Sequence, residues 1–169
     1  MNKKIKFNKS RILFGLLFIT LMLFSSIYFL VNPKIFLRNK LMKIEHIQII
    51  GILGIIYFPI LIFSLLNNLK KKYAIVITND FLIDNSKYEA FGKIKWKDIT
   101  KIQRKKKRSI EIFVKKDLLK NRKMNFIKRF LNLMHNWNYN DSIIISSTLT
   151  EYNIDNLYEM IMKTYENNK

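Results

Sequence analysis

Two histidines, twelve acidic residues and no cysteine are what this 169-residue chain offers for metal-ligand or acid–base chemistry. The absence of cysteine excludes disulfides, thiol catalysis and thiolate metal sites. His46 and His135 lie in different segments. His46 sits at the end of an apolar run, where an interfacial polar residue is expected. His135 closes a basic helix, where a cation suits the negative end of the helix dipole. Asp80 and Asp84 flank a short strand, but a paired acid/base role lacks a third supporting group. Four scattered glycines build no phosphate loop or dinucleotide fingerprint. Trp96 reads as a core anchor. The chain is therefore expected to be non-enzymatic, with no cofactor and no metal.

Charge is the one concentrated signal. The formal net charge is +19, in a chain with 28 Ile, 25 Lys, 18 Asn and two Ala. That bias matches an AT-rich, bacterial coding sequence, so the position of charge says more than its total. Arg104–Arg129 holds twelve basic residues against Glu111 and Asp117. Its candidate anion contacts are Arg104, Lys105, Lys106, Lys107, Arg108, Lys120, Arg122, Lys123, Lys128 and Arg129. Such a segment is either a solvated face or a contact for an anionic surface. Each cation near an anionic leaflet contributes about 1 kcal/mol. Phe126, Phe130 and Trp137 could enter the headgroup boundary beside them. Nucleic acid is the competing polyanion, but no reading motif or stacking platform accompanies the charge. A protein partner, as for an accessory or immunity-type subunit of a membrane complex, is the third class.

Two apolar stretches must position this segment. Ile12–Asn32 and His46–Asn67 each run for about twenty residues without Asp, Glu, Lys or Arg. At about 1.5 Å per residue, either crosses a hydrocarbon core of roughly 30 Å. Residues 1–69 are thus expected to be an N-terminal tail and a transmembrane hairpin, and residues 70–169 a separate domain. The first run is long for a signal peptide and lacks a small-residue cleavage site. Lys3, Lys4, Lys6, Lys9, Arg11 and Lys70–Lys72 outnumber Lys34, Arg38, Lys40 and Lys43 of the connecting loop. The imbalance predicts both termini in the cytoplasm of a bacterial inner membrane. The loop alternates charges with Ile35, Phe36, Leu37, Leu41, Met42 and Ile44, and should lie along the outer headgroups. Gly51 and Gly54 could bring the helices close, and Pro59 should kink the second.

Beyond Lys70 the period shortens. Tyr73–Thr78 and Phe81–Asp84 read as a hairpin turning at Asn79-Asp80, with Asn85-Ser86 as the next turn. Tyr88–Phe91 could add a strand ended by Gly92. Lys93–Lys97 alternates strictly, with Ile94 and Trp96 facing in. Ile99–Gln103 pairs with Ser109–Lys115, and Ser142–Ser146 is a further strand. Asp117–Asn136 reads as one amphipathic basic helix, with Leu119, Ile127, Phe130, Leu131 and Met134 on its stripe and Phe126 at the margin. Asn153 can cap a last helix carrying Ile154, Leu157, Ile161 and Tyr165 on one face.

Ile75–Asp84, followed by Gly92, Ile94, Trp96, Asp98 and Ile99, resembles bacterial pleckstrin-homology-like domains. In these a Gly-x-Ile-x-Trp-x-Asp-Ile segment often follows the first hairpin. The whole arrangement is similar to a family of small bacterial membrane proteins with two N-terminal spans and one such domain. The resemblance implies an antiparallel, curled, barrel-like sheet closed by Ile154–Tyr165, with the basic helix inserted between strands. It carries over no catalytic residue. Phosphoinositide-binding members place cations around the first hairpin turn, whereas Asn79-Asp80 would repel a phosphate. The expected fold is a membrane α-helical hairpin plus an α+β domain. The expected role is contact with membrane lipids of the anionic cytoplasmic leaflet or with a protein partner.

Overall fold

The computed structural model describes residues 2–37, 43–106, 108–136 and 142–168, with only the backbone of Lys106 and Asn136. Arg38, Lys40, Leu41 and Met42 of the loop, Lys107, Trp137 and Tyr139 lie outside the described residues. The chain divides into two compact units, Ser10–Leu66 and Met1–Lys9 with Asn67–Lys169.

The first unit is a pair of helices, α1 (Lys9–Val31) and α2 (Ile44–Leu69), joined through a 3-10 turn at Pro33–Phe36. Both are long and apolar enough to cross a membrane. Their outward side chains, among them Phe14, Leu17, Phe24, Leu53 and Ile56, are more than half exposed. Gly51 and Gly54 are where α2 meets α1. A Cβ on Gly51 would stand 2.8 Å from the Ser26 carbonyl oxygen, and one on Gly54 2.8 Å from Ser26 Cβ. Hydrogen there is what permits the contact. Ser26 is buried and donates its hydroxyl to the Met22 carbonyl at 2.9 Å, so it leaves no polar group unpaired. Pro59 lies inside α2.

The second unit is α+β. Its first sheet has the order β1 (Lys3–Ile5), β2 (Ile75–Ile77), β3 (Phe81–Asp84) and β4 (Gly92–Lys95), all antiparallel. Its second sheet has the order β5 (Ile99–Lys106), β6 (Ser109–Val114) and β7 (Ser142–Ser146), also antiparallel. The barrel-like closure implied by the resemblance is corrected here: among the described residues the strands form two sheets and no closed barrel. A 3-10 turn at Trp96–Asp98 separates β4 from β5 and ends the expected alternation at Lys95. Trp96 is nonetheless 3% exposed and donates its indole N–H to the Thr78 carbonyl at 2.9 Å. The core is largely branched aliphatic, as strand interiors favour: Ile75, Ile77, Leu82, Ile94, Ile110, Ile112 and Ile145 are all fully buried.

Three differences from the sequence reading have physical causes. Residues 3–5, expected in a charged tail, form strand β1, because Ile5 (2% exposed) and Phe7 (6%) find apolar cover in this unit. Ala74 donates to the Ile5 carbonyl at 2.8 Å, and Asn8 to that of Leu149 at 2.8 Å. The expected strand Tyr88–Phe91 is part of a turn: Ala90 donates to the Lys87 carbonyl at 3.3 Å, and the Glu89 carbonyl accepts from Arg122 instead of from a neighbouring strand. The expected single helix Asp117–Asn136 is two, α3 (Lys116–Lys120) and α4 (Phe126–Asn136). Asn125 starts α4, its side chain accepting from the Lys128 backbone N–H at 2.8 Å. The last helix, α5 (Ile154–Glu166), is as expected. Asn153 caps it, Ile154, Leu157, Ile161 and Tyr165 are buried, and the Tyr165 hydroxyl donates to the Thr100 carbonyl at 3.0 Å.

Candidate functional site

The basic segment does not form one surface. Arg104, on β5, is ion-paired with Asp155 of α5. Lys105 reaches Glu111 at 3.1 Å. Arg122 is half-buried between α3 and α4, donating to the Glu89 carbonyl and standing 5.1 Å from the Phe91 ring centre. Lys128 is half-buried over the Tyr88 ring at 5.6 Å. Arg108, Lys120, Lys123 and Arg129 are exposed and have no acidic partner among the described residues. Three of these four, Lys120, Lys123 and Arg129, fall within ten residues running from the end of α3 into α4. Residues 118–136 contain no Asp or Glu at all.

The structure also gathers a buried polar cluster around the turn between β3 and β4. Asp84 is 1% exposed, Glu89 3%. Burial pushes the Asp84 carboxyl up from its ordinary value, against hydrogen bonding from Ser86 and the charges of Lys87 and Lys71. Its Oδ1 accepts from the Ser86 backbone N–H at 2.9 Å, while Oδ2 has no hydrogen-bond partner. Burial acts on Glu89 in the same sense, but the hydrogen bond from His135 and that residue's charge outweigh it and hold the carboxyl below its ordinary value. The His135 Nδ1 to Glu89 Oε1 distance is 2.9 Å. Lys71 donates to Asn68 Oδ1 at 3.2 Å and to the Lys87 carbonyl at 3.3 Å, and its own burial, then the Lys128 charge, lowers its pKa. A cavity of about 20 Å³ between Glu89, Arg122, Asn132 and Ser142 has room for about one water molecule, too little for a substrate. Among the described residues no three His, Asp or Glu side chains are grouped to hold a metal.

Part of this cluster has a sequence signal. β3 alternates, so Asp84 shares its face with Leu82, two residues earlier, and goes inward with it. Glu89 has no such signal, because its burial comes from α4, thirty-seven residues further on.

What the cluster does is hold α4. Arg122 and His135 grip Glu89, and Asn125 donates to the Tyr88 hydroxyl at 3.2 Å. Asn132 Oδ1 accepts from Arg122 at 3.5 Å. Only Leu131 is a fully buried apolar residue of the helix. The opposite face carries Phe126 (81% exposed), Leu133 (65%) and Met134 (52%), with Phe130 half-buried between them. The expected stripe is therefore split: Leu131 is buried and Leu119, Ile127 and Phe130 are half-buried, whereas Met134 and Phe126 face outward and polar residues of the helix help to dock it.

The fold and site together define an α+β unit that presents a cation-flanked apolar helix, in a chain with a hairpin of membrane length. Comparison with family models, with curated proteins and with solved structures found no match for this chain.

Proposed function

We propose that this is a non-enzymatic integral membrane protein whose α+β unit docks on the anionic cytoplasmic face of the bilayer that holds its own two helices. The observation carrying this reading is the group Lys120, Lys123 and Arg129: exposed, without acidic partners and set in an acid-free stretch. Two helices of membrane length keep the unit at the surface, since α2 ends at Leu69 and β2 begins at Ile75. Pairing of β1 with β2 supports both chain ends on one side, because these strands flank the pair of spans. With the flanking positive charge, that side is the cytoplasm of a bacterial inner membrane. Antiparallel strands followed by a packed C-terminal helix support reading the unit as pleckstrin-homology-like.

Energy transfer tests the docking. The full chain carrying Glu159→Cys, on an exposed position of α5, is labelled with a donor and reconstituted with headgroup-labelled acceptor lipid. Transfer should rise when anionic lipid replaces neutral lipid and fall again at high salt. Reversing Lys120, Lys123 and Arg129 to Glu removes about 3 kcal/mol, at about 1 kcal/mol per cation, which is more than a hundredfold in the docking equilibrium. Transfer indifferent to lipid charge would overturn the proposal.

A further inference from the structure

Surface helices ordinarily turn their apolar stripe inward and their polar face to water. Helix α4 buries Leu131 and half-buries Ile127, but turns most of its apolar side chains outward and sets polar ones against the fold. Lys128, Asn132 and His135 face the turn between β3 and β4, whereas Phe126, Phe130, Leu133 and Met134 lie within about 100° of one another around the opposite side, at 3.6 residues per turn. Leaving Phe126 at 81% exposure and Leu133 at 65% is unfavourable in water. The polar grip, however, holds the helix in this orientation. An apolar stripe held outward by polar contacts to a buried carboxylate, Glu89, implies a nonaqueous medium against it.

We infer that α4 is an interfacial helix whose outward stripe enters the headgroup–acyl boundary of an anionic bilayer. Charge complementarity selects this occupant. Lys123 stands just before the helix, Arg129 borders the stripe, and no acid falls within residues 118–136. That pattern of cations beside an apolar face suits anionic headgroups above hydrocarbon. A second copy of the chain would set the same cations against each other. The inference rests on the docking reading above and adds to it a depth: the unit is inserted through α4 as well as attracted.

The chain has no cysteine, so single labels are unambiguous. An environment-sensitive dye is attached to Phe126→Cys and, separately, Leu133→Cys in the full chain in vesicles of mixed neutral and anionic phospholipid. A label on Glu159→Cys is the reference. Emission at 126 and 133 should shift to the blue, brighten several-fold and be quenched by lipids spin-labelled near the top of the acyl chain. Emission at 159 should do neither. Water-like emission at 126 and 133 would overturn the insertion. So would blue-shifted emission that spin-labelled lipid leaves unquenched, which would mean protein covers the stripe. If transfer from position 159 still responds to anionic lipid while 126 and 133 stay wet, only insertion fails. If neither responds, the docking reading fails too. Both cysteines replace exposed side chains, so loss of fold is not an expected outcome.

Discussion

Strand β1 should be indispensable to a unit whose remaining strands lie more than sixty residues away in sequence. The perturbation is Ile5→Ala, alone and with Phe7→Ala. Ile5 is 2% exposed and Phe7 6%. Truncating a buried Ile costs about 2–5 kcal/mol and a buried Phe about 3–5 kcal/mol. The residues are close enough to couple, so the sum is a guide only. Even so, the double loss is comparable with the roughly 5–15 kcal/mol that stabilises a typical domain. The single substitution leaves Lys3, Lys4, Lys6, Lys9 and Arg11 in place, so any charge signal for membrane insertion is intact. Hydrogen exchange of the full chain in detergent reads the effect. Amides of Ile75, Val76 and Ile77 should exchange roughly 30-fold to several thousand-fold faster in Ile5→Ala, at about 1.4 kcal/mol per tenfold. Lys4→Ala, which removes an exposed side chain, should change them little. Unaltered protection in Ile5→Ala would mean that β1 adds nothing to the sheet, and the division of the chain argued above would be wrong.

Two further outcomes follow from the buried carboxyl and the hairpin contact. The folded-state pKa of Asp84 is raised, so its contribution to stability is present below its ordinary value and lost as pH rises through the folded value. Asp84→Asn lacks that loss. It should gain on the wild type from about pH 4 upward, measured by denaturant unfolding over a pH series, and a pH-independent difference would refute the assignment. In the hairpin, Gly51→Leu must push the Ser26 backbone away, at a cost of about 1–3 kcal/mol. Oxidative cross-linking between Gly15→Cys and Leu65→Cys, where a Cβ on Gly15 would stand 3.4 Å from Leu65 Cδ1, should then slow several-fold. Unchanged cross-linking would show that the helices do not meet there.

The elements legible in the sequence are those whose signals are local. Asn153 and the stripe Ile154, Leu157, Ile161 and Tyr165 define α5 without knowledge of what it covers. Ser142–Ser146 is a strand by composition alone, and the apolar runs give both helices of the hairpin. β1 was not legible, because three residues among lysines look like a charged tail until Ile75–Ile77 is known to lie alongside. The orientation of α4 was hidden for the same reason. Its stripe is plain from Phe126, Phe130 and Met134, but a stripe does not say which way it faces. That is decided by Glu89, whose two partners are 33 and 46 residues away. Of the candidate contacts, Lys120, Lys123 and Arg129 are exposed and lie within ten residues of one another in sequence. Arg104, Lys105 and Arg122 are engaged by Asp155, Glu111 and Glu89, which spacing alone does not reveal.

The place of β1 in the sheet also imposes a schedule. Lys3–Ile5 is synthesised before both long helices, yet its partner strand follows only after them. During that interval the first strand is an unpaired edge, and its lysines keep such an edge soluble and discourage wrong pairing. The sheet closes only if the second helix returns the chain to the side from which the first departed. On the proposed membrane topology, a molecule with one helix misplaced would have its first strand and its second on opposite sides of the bilayer and could not build the unit. Under that proposal folding itself would check insertion, since a wrongly threaded chain could not pair β1 with β2.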